Sequence, residues 1–398
     1  MADARDHREL IEWAFRAGIE VVAPDAAVKR VLRRTDDGFS VDGEAITVAG
    51  RLVVVAIGKA ASPMARAAAD VLGDRISAGF VLTKDGHVSD PPAGFVVFEA
   101  SHPVPDARGI AATEAILHAV DGLGGDDVVL ALMSGGGSAL FESPADGLSL
   151  EDMQRTTDLL LRAGAPIQHL NAVRSELSEV KGGGFRRHIG EARTVSLILS
   201  DVLGNDPTVI ASGPTVPREP NPAGALDVLD RYGLRESVPA SVREHLEMAA
   251  STDDRRAEVH ASGDVYRIVG DNAMFVDAVR ASLESAGLTV EEVWTAREGE
   301  ARDQASRWLD ALAEASADAI IGGGEMTVTV TGDVIGGRNT ELALAAAIEI
   351  DRRGLRATVA SLASDGQDGA VDAAGAVVDG GTAARLQEAG IEPAEGLA

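Results

Sequence analysis

The sequence predicts a two-domain α/β protein whose larger sheet is mainly parallel. Three observations carry that expectation. Short runs that are apolar on both faces, such as LVVVAI (52–57) and VVLALMS (128–134), alternate with amphipathic helical segments, and a strand with no polar face belongs inside a parallel sheet covered on both sides. A polar run, Ser251–Asp264, separates two such α/β patterns. At 398 residues and 45% hydrophobic content the chain is long enough for two cores.

Taken in order, residues 5–19 carry apolar side chains at helical spacing, and 40–48 alternate like a half-buried ribbon. A buried strand over 51–58 then leads into an amphipathic helix over 59–73. GFVLTKDG and FVVFEAS read as strands, 106–123 as a helix, and 128–134 as a further strand running into GGGSALF. Helices are expected over 150–163 and over HLNAVRSELSEVK (169–181), and TVSLILSDV is a strand entering a loop. Past the polar run, YRIVGDN (266–272) opens the second pattern, which continues through AMFVDAVRASLESAG, AIIGGGEMTVTVTG, TELALAAAIEIDR and ATVASLASDG.

Composition excludes several functions. There is no cysteine, so disulfides, thiolate metal sites and cysteine nucleophiles are ruled out. No apolar run reaches membrane-spanning length, and the charged start of the chain does not resemble a signal peptide, so a soluble cytoplasmic protein is expected. Asp and Glu number 63 against 36 Lys and Arg, a formal charge of −27, which argues against nucleic-acid or anionic-membrane partners. Lys29, Lys59, Lys84 and Lys181 are the only lysines. Excess carboxylate with almost no lysine suggests adaptation to high salt, where a Debye length of about 3 Å makes the self-repulsion tolerable.

Six segments could hold chemistry. Lys59, after Gly58 at a strand end, can bring a point charge to an anion beside a helix N-terminus; a solvated lysine is the plainer reading. Ser134, Gly135, Gly136, Gly137 and Ser138 form a side-chain-poor loop whose backbone N–H groups can converge on phosphate oxygens, against the alternative of a flexible connection. Arg174 and Lys181 lie seven apart, so one helix would place both cations on one face. Asp201 and Asp206 leave a strand in a turn that suits Mg²⁺ or, equally, turn capping. Glu325 follows three glycines at a strand start, and Arg338 and Asn339 follow two at a helix start, where an arginine can meet a moving phosphoryl group. Asp365 and Asp368 occupy a Gly-rich loop that does not fit calcium-loop spacing. Neither a P-loop nor a G-x-G-x-x-G fingerprint occurs, which weakens a nicotinamide reading. N–H cradles, cations and loop carboxylates together are what phosphoryl transfer requires.

The ordered set AIGKAA, SGGGSAL, LNAVRSELSEVKGGG, LSDVLGNDP with SGPT, GGGEMTVTV, GGRNTELAL and SDGQDGAVDAAGAVVDG resembles the two-domain glycerate kinases with a C-terminal MOFRL module. Members of that family are sometimes labelled hydroxypyruvate reductases. The resemblance implies a larger Rossmann-like domain (1–255), a smaller MOFRL-like α/β domain (265–398) and an active site in the cleft between them. It implies ATP-dependent phosphorylation of D-glycerate, with 2-phosphoglycerate as the expected product and Mg²⁺ accompanying ATP. Lys59 and Arg338 match the catalytic lysine and arginine. The 134–138 loop, Arg174, Lys181, Glu325, Asn339, Asp365 and Asp368 are expected to bind substrate or nucleotide, and a homodimer is the assembly weighed. Assigning the metal to Asp201 and Asp206 is an inference from their turn rather than from the family. Two departures stand out: Thr340 replaces the usual Gln, and the family's T-G-P-T-G-T-N-V-N-D loop would follow the EPAEGLA at which this sequence stops. A reductase and a non-catalytic phospho-ligand binder are the rival readings.

Overall fold

In a computed structural model, residues 4–251, 263–329 and 336–397 are described. The chain forms two compact units, 23–271 and a second built from 1–22 with 272–398.

The 23–271 unit begins with an antiparallel ribbon of β1 (Leu32–Thr35), β2 (Gly38–Val41) and β3 (Glu44–Thr47). Six parallel strands follow: β4 (Leu52–Ile57), β5 (Ala78–Lys84), β6 (Val96–Ala100), β7 (Val128–Ser134), β8 (Arg193–Leu199) and β9 (Val265–Gly270). Their spatial order is β6-β5-β4-β7-β8-β9, so the chain winds outward from β4, returns to its other side and winds outward again. This is the doubly wound order of Rossmann-like sheets.

The wholly apolar central strands follow from that position. Every residue of β4 and β7 is buried. On one face Leu52, Val54 and Ala56 pack with residues of helices Pro24–Val31 and Ala61–Leu72. On the other, Val53, Val55 and Ile57 pack with Ala112, Ile116 and Val120 of helix Ala107–Val120. That helix starts where Asp106 accepts hydrogen bonds from the backbone N–H groups of Arg108 and Gly109. Between β7 and β8 the chain adds a helical layer, Leu150–Arg162 and Ile167–Glu176, which shares a core with helices Pro222–Arg231 and Ala240–Ser251.

The second unit contains parallel β10 (Val290–Glu300) and β11 (Ala319–Thr327) and antiparallel β12 (Thr358–Leu362) and β13 (Gly375–Asp379). Helix Arg338–Arg353 buries an alanine-rich face, Ala343 and Ala345–Ala347, in a cluster with Ala305 and Val378. The first helix, Ala4–Val22, packs in this unit on helix Asn272–Ser285, with Phe15 edge-on to Phe275 at 5.3 Å between ring centres.

The α/β class and the parallel sheet are as expected, but the division of the chain falls elsewhere than 255/265. Strand 265–270 completes the larger sheet, and the first helix belongs with the C-terminal half. The expected linker lies mostly outside the described residues, and its last member, Asp264, is a buried partner of Arg186 at 2.6 Å. Helical spacing and strand alternation report local faces, whereas unit membership depends on which distant face each one meets. Among the described residues, no helix is long and apolar enough to cross a membrane.

Candidate active site

β4 and β7 are neighbours, although β5 and β6 intervene in the chain. Their carboxyl ends therefore lie where the winding reverses, the point at which open α/β sheets bind ligands. Gly58 and Lys59 leave β4 there, and Ser134–Ser138 leaves β7. The two loops are tied together: Lys59 N–H donates to the Gly135 carbonyl at 2.9 Å. Ser134 Oγ accepts from Ala60 N–H at 3.1 Å and donates to the Ile57 carbonyl. Ser134 is thus committed to joining the strands, while the backbone of Gly135–Gly137 forms the floor of the site.

Asp201 lies so close to Gly135 that any Cβ there would overlap its Oδ2. Gly136 is left-handed, with φ +85°, and a Cβ on it would lie 3.2 Å from both Lys59 Cγ and His102 Cδ2. Both positions therefore need glycine, one for close approach and one for conformation. Lys59 is half-buried, and its ammonium has no hydrogen bond or ion pair among the described residues. A cation held this way at the switch point is available to a ligand.

Ser138 is held from two sides. Its hydroxyl meets Ser212 Oγ at 2.7 Å, and its carbonyl accepts from Arg174 Nη2 at 2.9 Å. Ser212 follows Ala211 in a turn where both are left-handed, φ +63° and +51°. Such conformations cost about 1–3 kcal/mol each and concentrate at binding sites.

Arg174 and Lys181 do not share a helix face. The helix ends at Glu176, and Ser178 instead bridges to Pro144. Lys181 is fully buried, donating to Glu142 Oε2 at 2.6 Å and the Phe141 carbonyl at 3.1 Å. Burial pushes its pKa down to about 8, with Glu142 opposing the fall. In place of the expected anion contact there is a buried ion pair, because Glu142 takes the charge a ligand would have used. Burial also lowers the Arg174 pKa, again opposed by Glu142.

Asp206 accepts from Thr208 N–H and Oγ1, which makes it a turn-capping side chain. Among the described residues no three His, Asp or Glu side chains cluster as a metal set. Magnesium carried by a nucleotide needs only one or two carboxylates, and Asp201, against the glycine floor, fits that need better than Asp206.

In the second unit, Arg338 Nη1 pairs with Glu325 Oε1 at 2.8 Å, and both remain partly exposed. Glu325 lies inside β11, not at a strand start, because β11 runs through the three glycines. Asp368 is buried and accepts from the backbone N–H groups of Asn339 and Thr340, at 2.9 and 2.7 Å, and from Asn339 Nδ2. It caps the helix that presents Arg338, which corrects its expected role as a ligand contact. Burial alone would raise the Asp368 pKa, but these hydrogen bonds offset that and hold it below the usual range. Asn339 Oδ1 accepts from Ser361 Oγ, so its side chain too is engaged in scaffolding. Asp365 is exposed and accepts from Gln367 N–H.

Two participants were not singled out in the sequence: Ser212, within the quoted SGPT, and His102 after β6. A histidine immediately past a strand end was the available signal for the second.

Residues 10–247 match a domain of unknown function, DUF4147, and residues 318–398 match the MOFRL family. A D-glycerate 2-kinase of Thermotoga maritima is 40% identical, over 99% of this chain and 91% of its own length. A glycerate 2-kinase of Pyrococcus horikoshii is 36% identical, over 98% and 89%. A protein of Agrobacterium vitis that carries a hydroxypyruvate reductase name is 38% identical, over 87% and 91%. The crystal structure of glycerate kinase from Thermotoga maritima superposes with a TM-score of 0.84 at 38% identity, covering 99% of this chain and 92% of that one. The chain belongs to the two-domain glycerate kinase family, a DUF4147 domain followed by a MOFRL domain.

Proposed function

We propose that the protein phosphorylates D-glycerate from ATP, giving 2-phosphoglycerate by direct in-line transfer. The observation that carries this reading is the unpaired Lys59 ammonium beside a side-chain-free glycine floor at the sheet's switch point. The relatives named as glycerate 2-kinases support the choice of substrate and product.

In this reading Lys59 and Arg338 neutralise charge on the moving phosphoryl group, an electrostatic role that grows as the group loosens. Arg338 must exchange its Glu325 partner for the phosphoryl oxygens, an exchange made easier by the partial exposure of both. The N–H groups of the 135–137 loop face nucleotide oxygens. Asp201 would hold Mg²⁺, which, when bound with ATP, neutralises the phosphate oxygens. Arg174 and Lys181 hold the chain that follows the floor, through the Ser138 and Phe141 carbonyls. The acidic surface fits a salt-adapted cytoplasmic enzyme.

The test is product formation from ATP, Mg²⁺ and D-glycerate in molar KCl, with the phosphoglycerate isomer resolved by NMR. The 2-phosphate is expected; the 3-phosphate would correct the position, and no product from folded protein would defeat the reading. K59M and R338A are each expected to lower kcat by roughly 10³-fold while leaving the fold intact. Wild-type turnover in either variant would remove that residue from the mechanism. NADH oxidation with hydroxypyruvate in place of phosphoglycerate formation would favour a reductase.

A further inference from the structure

His102 stands in the loop after β6, half-buried, and its ring makes no hydrogen bond or ion pair among the described residues. A Cβ on Gly136 would lie 3.4 Å from its Nε2 and 3.2 Å from Lys59 Cγ, so imidazole and lysine stem border the same point on the glycine floor. Most basic groups of this acidic chain are different. Arg108, for example, holds both Asp85 and Asp106, and Arg353 holds Asp310 and Glu349. Two basic side chains without a hydrogen-bond or ion-pair partner among the described residues thus border one backbone loop.

We propose that His102 is a further catalytic residue, the acceptor of the proton from the substrate hydroxyl that receives the phosphoryl group. The inference rests on the kinase reading above. As the hydroxyl oxygen of glycerate forms the new P–O bond, its proton passes to the unprotonated ring nitrogen of His102. The bond from the γ-phosphorus to the β,γ-bridging oxygen breaks, and its electron pair leaves with ADP. The imidazolium then returns the proton to solvent.

The surroundings suit an imidazole that must be neutral before reaction. The charged and titratable groups acting on it are Lys59 from the end of β4, Lys84 from the end of β5 and His87 from the next loop. Burial first, and then these three, hold its pKa below the ordinary histidine value. A ring nitrogen is therefore free to accept at neutral pH, whereas a carboxylate ligand would gain little from an uncharged ring. Lys59 can meanwhile meet the phosphoryl oxygens from the same side.

The experiment compares the full-length wild type with H102A and with H102Q, which keeps the side-chain volume if alanine loosens the loop. It measures kcat and KM for D-glycerate, ATP affinity by calorimetry, and kcat against pH from 5 to 8.5. The expected result is a fall in kcat of about 10²-fold or more in both variants. ATP affinity should change less than about threefold, the acid-side decline of kcat should disappear, and added imidazole should restore part of the H102A rate. A variant kcat within threefold of wild type overturns the proposal. So does a loss that imidazole does not relieve and that leaves the acid-side decline in place, which would mark a positioning role. A folded wild type that forms no phosphoglycerate defeats the kinase reading and this one with it; an active wild type with unaffected variants defeats this one alone.

Discussion

At the scale of single residues, the site depends on what is missing as much as on what is present. Gly135 lets Asp201 lie on the loop, and Gly136 supplies a left-handed turn between Lys59 and His102. G136A would strain the backbone by roughly 1–2 kcal/mol and push a methyl group toward both side chains. We expect at least a tenfold fall in kcat/KM with a small drop in melting temperature, checked by steady-state kinetics and calorimetry; unaltered turnover would show that the floor tolerates a side chain. Lys181 belongs to the same scale. Its ammonium and the Glu142 carboxylate are both nearly inaccessible to solvent, so removing one strands the other. K181M alone is expected to destabilise by about 3–5 kcal/mol, and the double variant K181M/E142L to recover much of that. Denaturant titration of the two checks it, and equal losses would mean the pair contributes more than mutual compensation.

At the scale of elements, the helix Arg338–Arg353 shows how a side chain proposed for catalysis, Arg338, is held at a helix start. Its N-cap is Gly337, which has no side chain to accept the first N–H groups. Asp368 supplies that acceptor from the loop between β12 and β13. D368A should cost about 1 kcal/mol of stability as a lost cap, and should lower kcat through Arg338 while ATP binding is largely kept. The pH dependence has a definite sign. The folded carboxyl titrates below its ordinary range, so its stabilisation is present above that range and is lost as pH falls through it. The wild type should lose stability on acidification below about pH 4 more steeply than D368A. Parallel acid-melting curves would refute the capping role. The helix Ile167–Glu176 gives the complementary case: a pattern consistent with a longer helix stopped because Ser178 bridges to Pro144 and Lys181 turned inward to Glu142. Neither partner is close in sequence.

At the scale of the whole molecule, charge is the dominant property. A net charge of −27 is self-repulsive in dilute buffer and screened at high salt. We expect the melting temperature to rise by several degrees between 0.1 and 2 M KCl, read by calorimetry at fixed pH. A flat or falling response would show that the ion pairs matter more than the net repulsion, and would argue against salt adaptation. The six-stranded order is the other molecular property. It sets β7 beside β4 and so joins loops 76 residues apart, from Lys59 N–H to the Gly135 carbonyl, at the carboxyl edge of the sheet.

The sequence by itself determined the α/β class, the buried parallel strands and the Gly-rich loops that end them, because strand burial and loop backbone freedom are written in local residue types. LVVVAI and VVLALMS can hardly be anything but central strands, and Lys59, Gly135 and Gly136 are legible as turn residues just past strand ends. Only the tertiary structure decided which of those residues remain available. It buried Lys181 on Glu142, turned Asp368 into a helix cap, assigned strand 265–270 to the larger sheet, and brought His102 to the glycine floor. The physical reason is common to the first three. A charge or a strand acquires its role from the partner that satisfies it, and here each partner is contributed by a distant part of the chain.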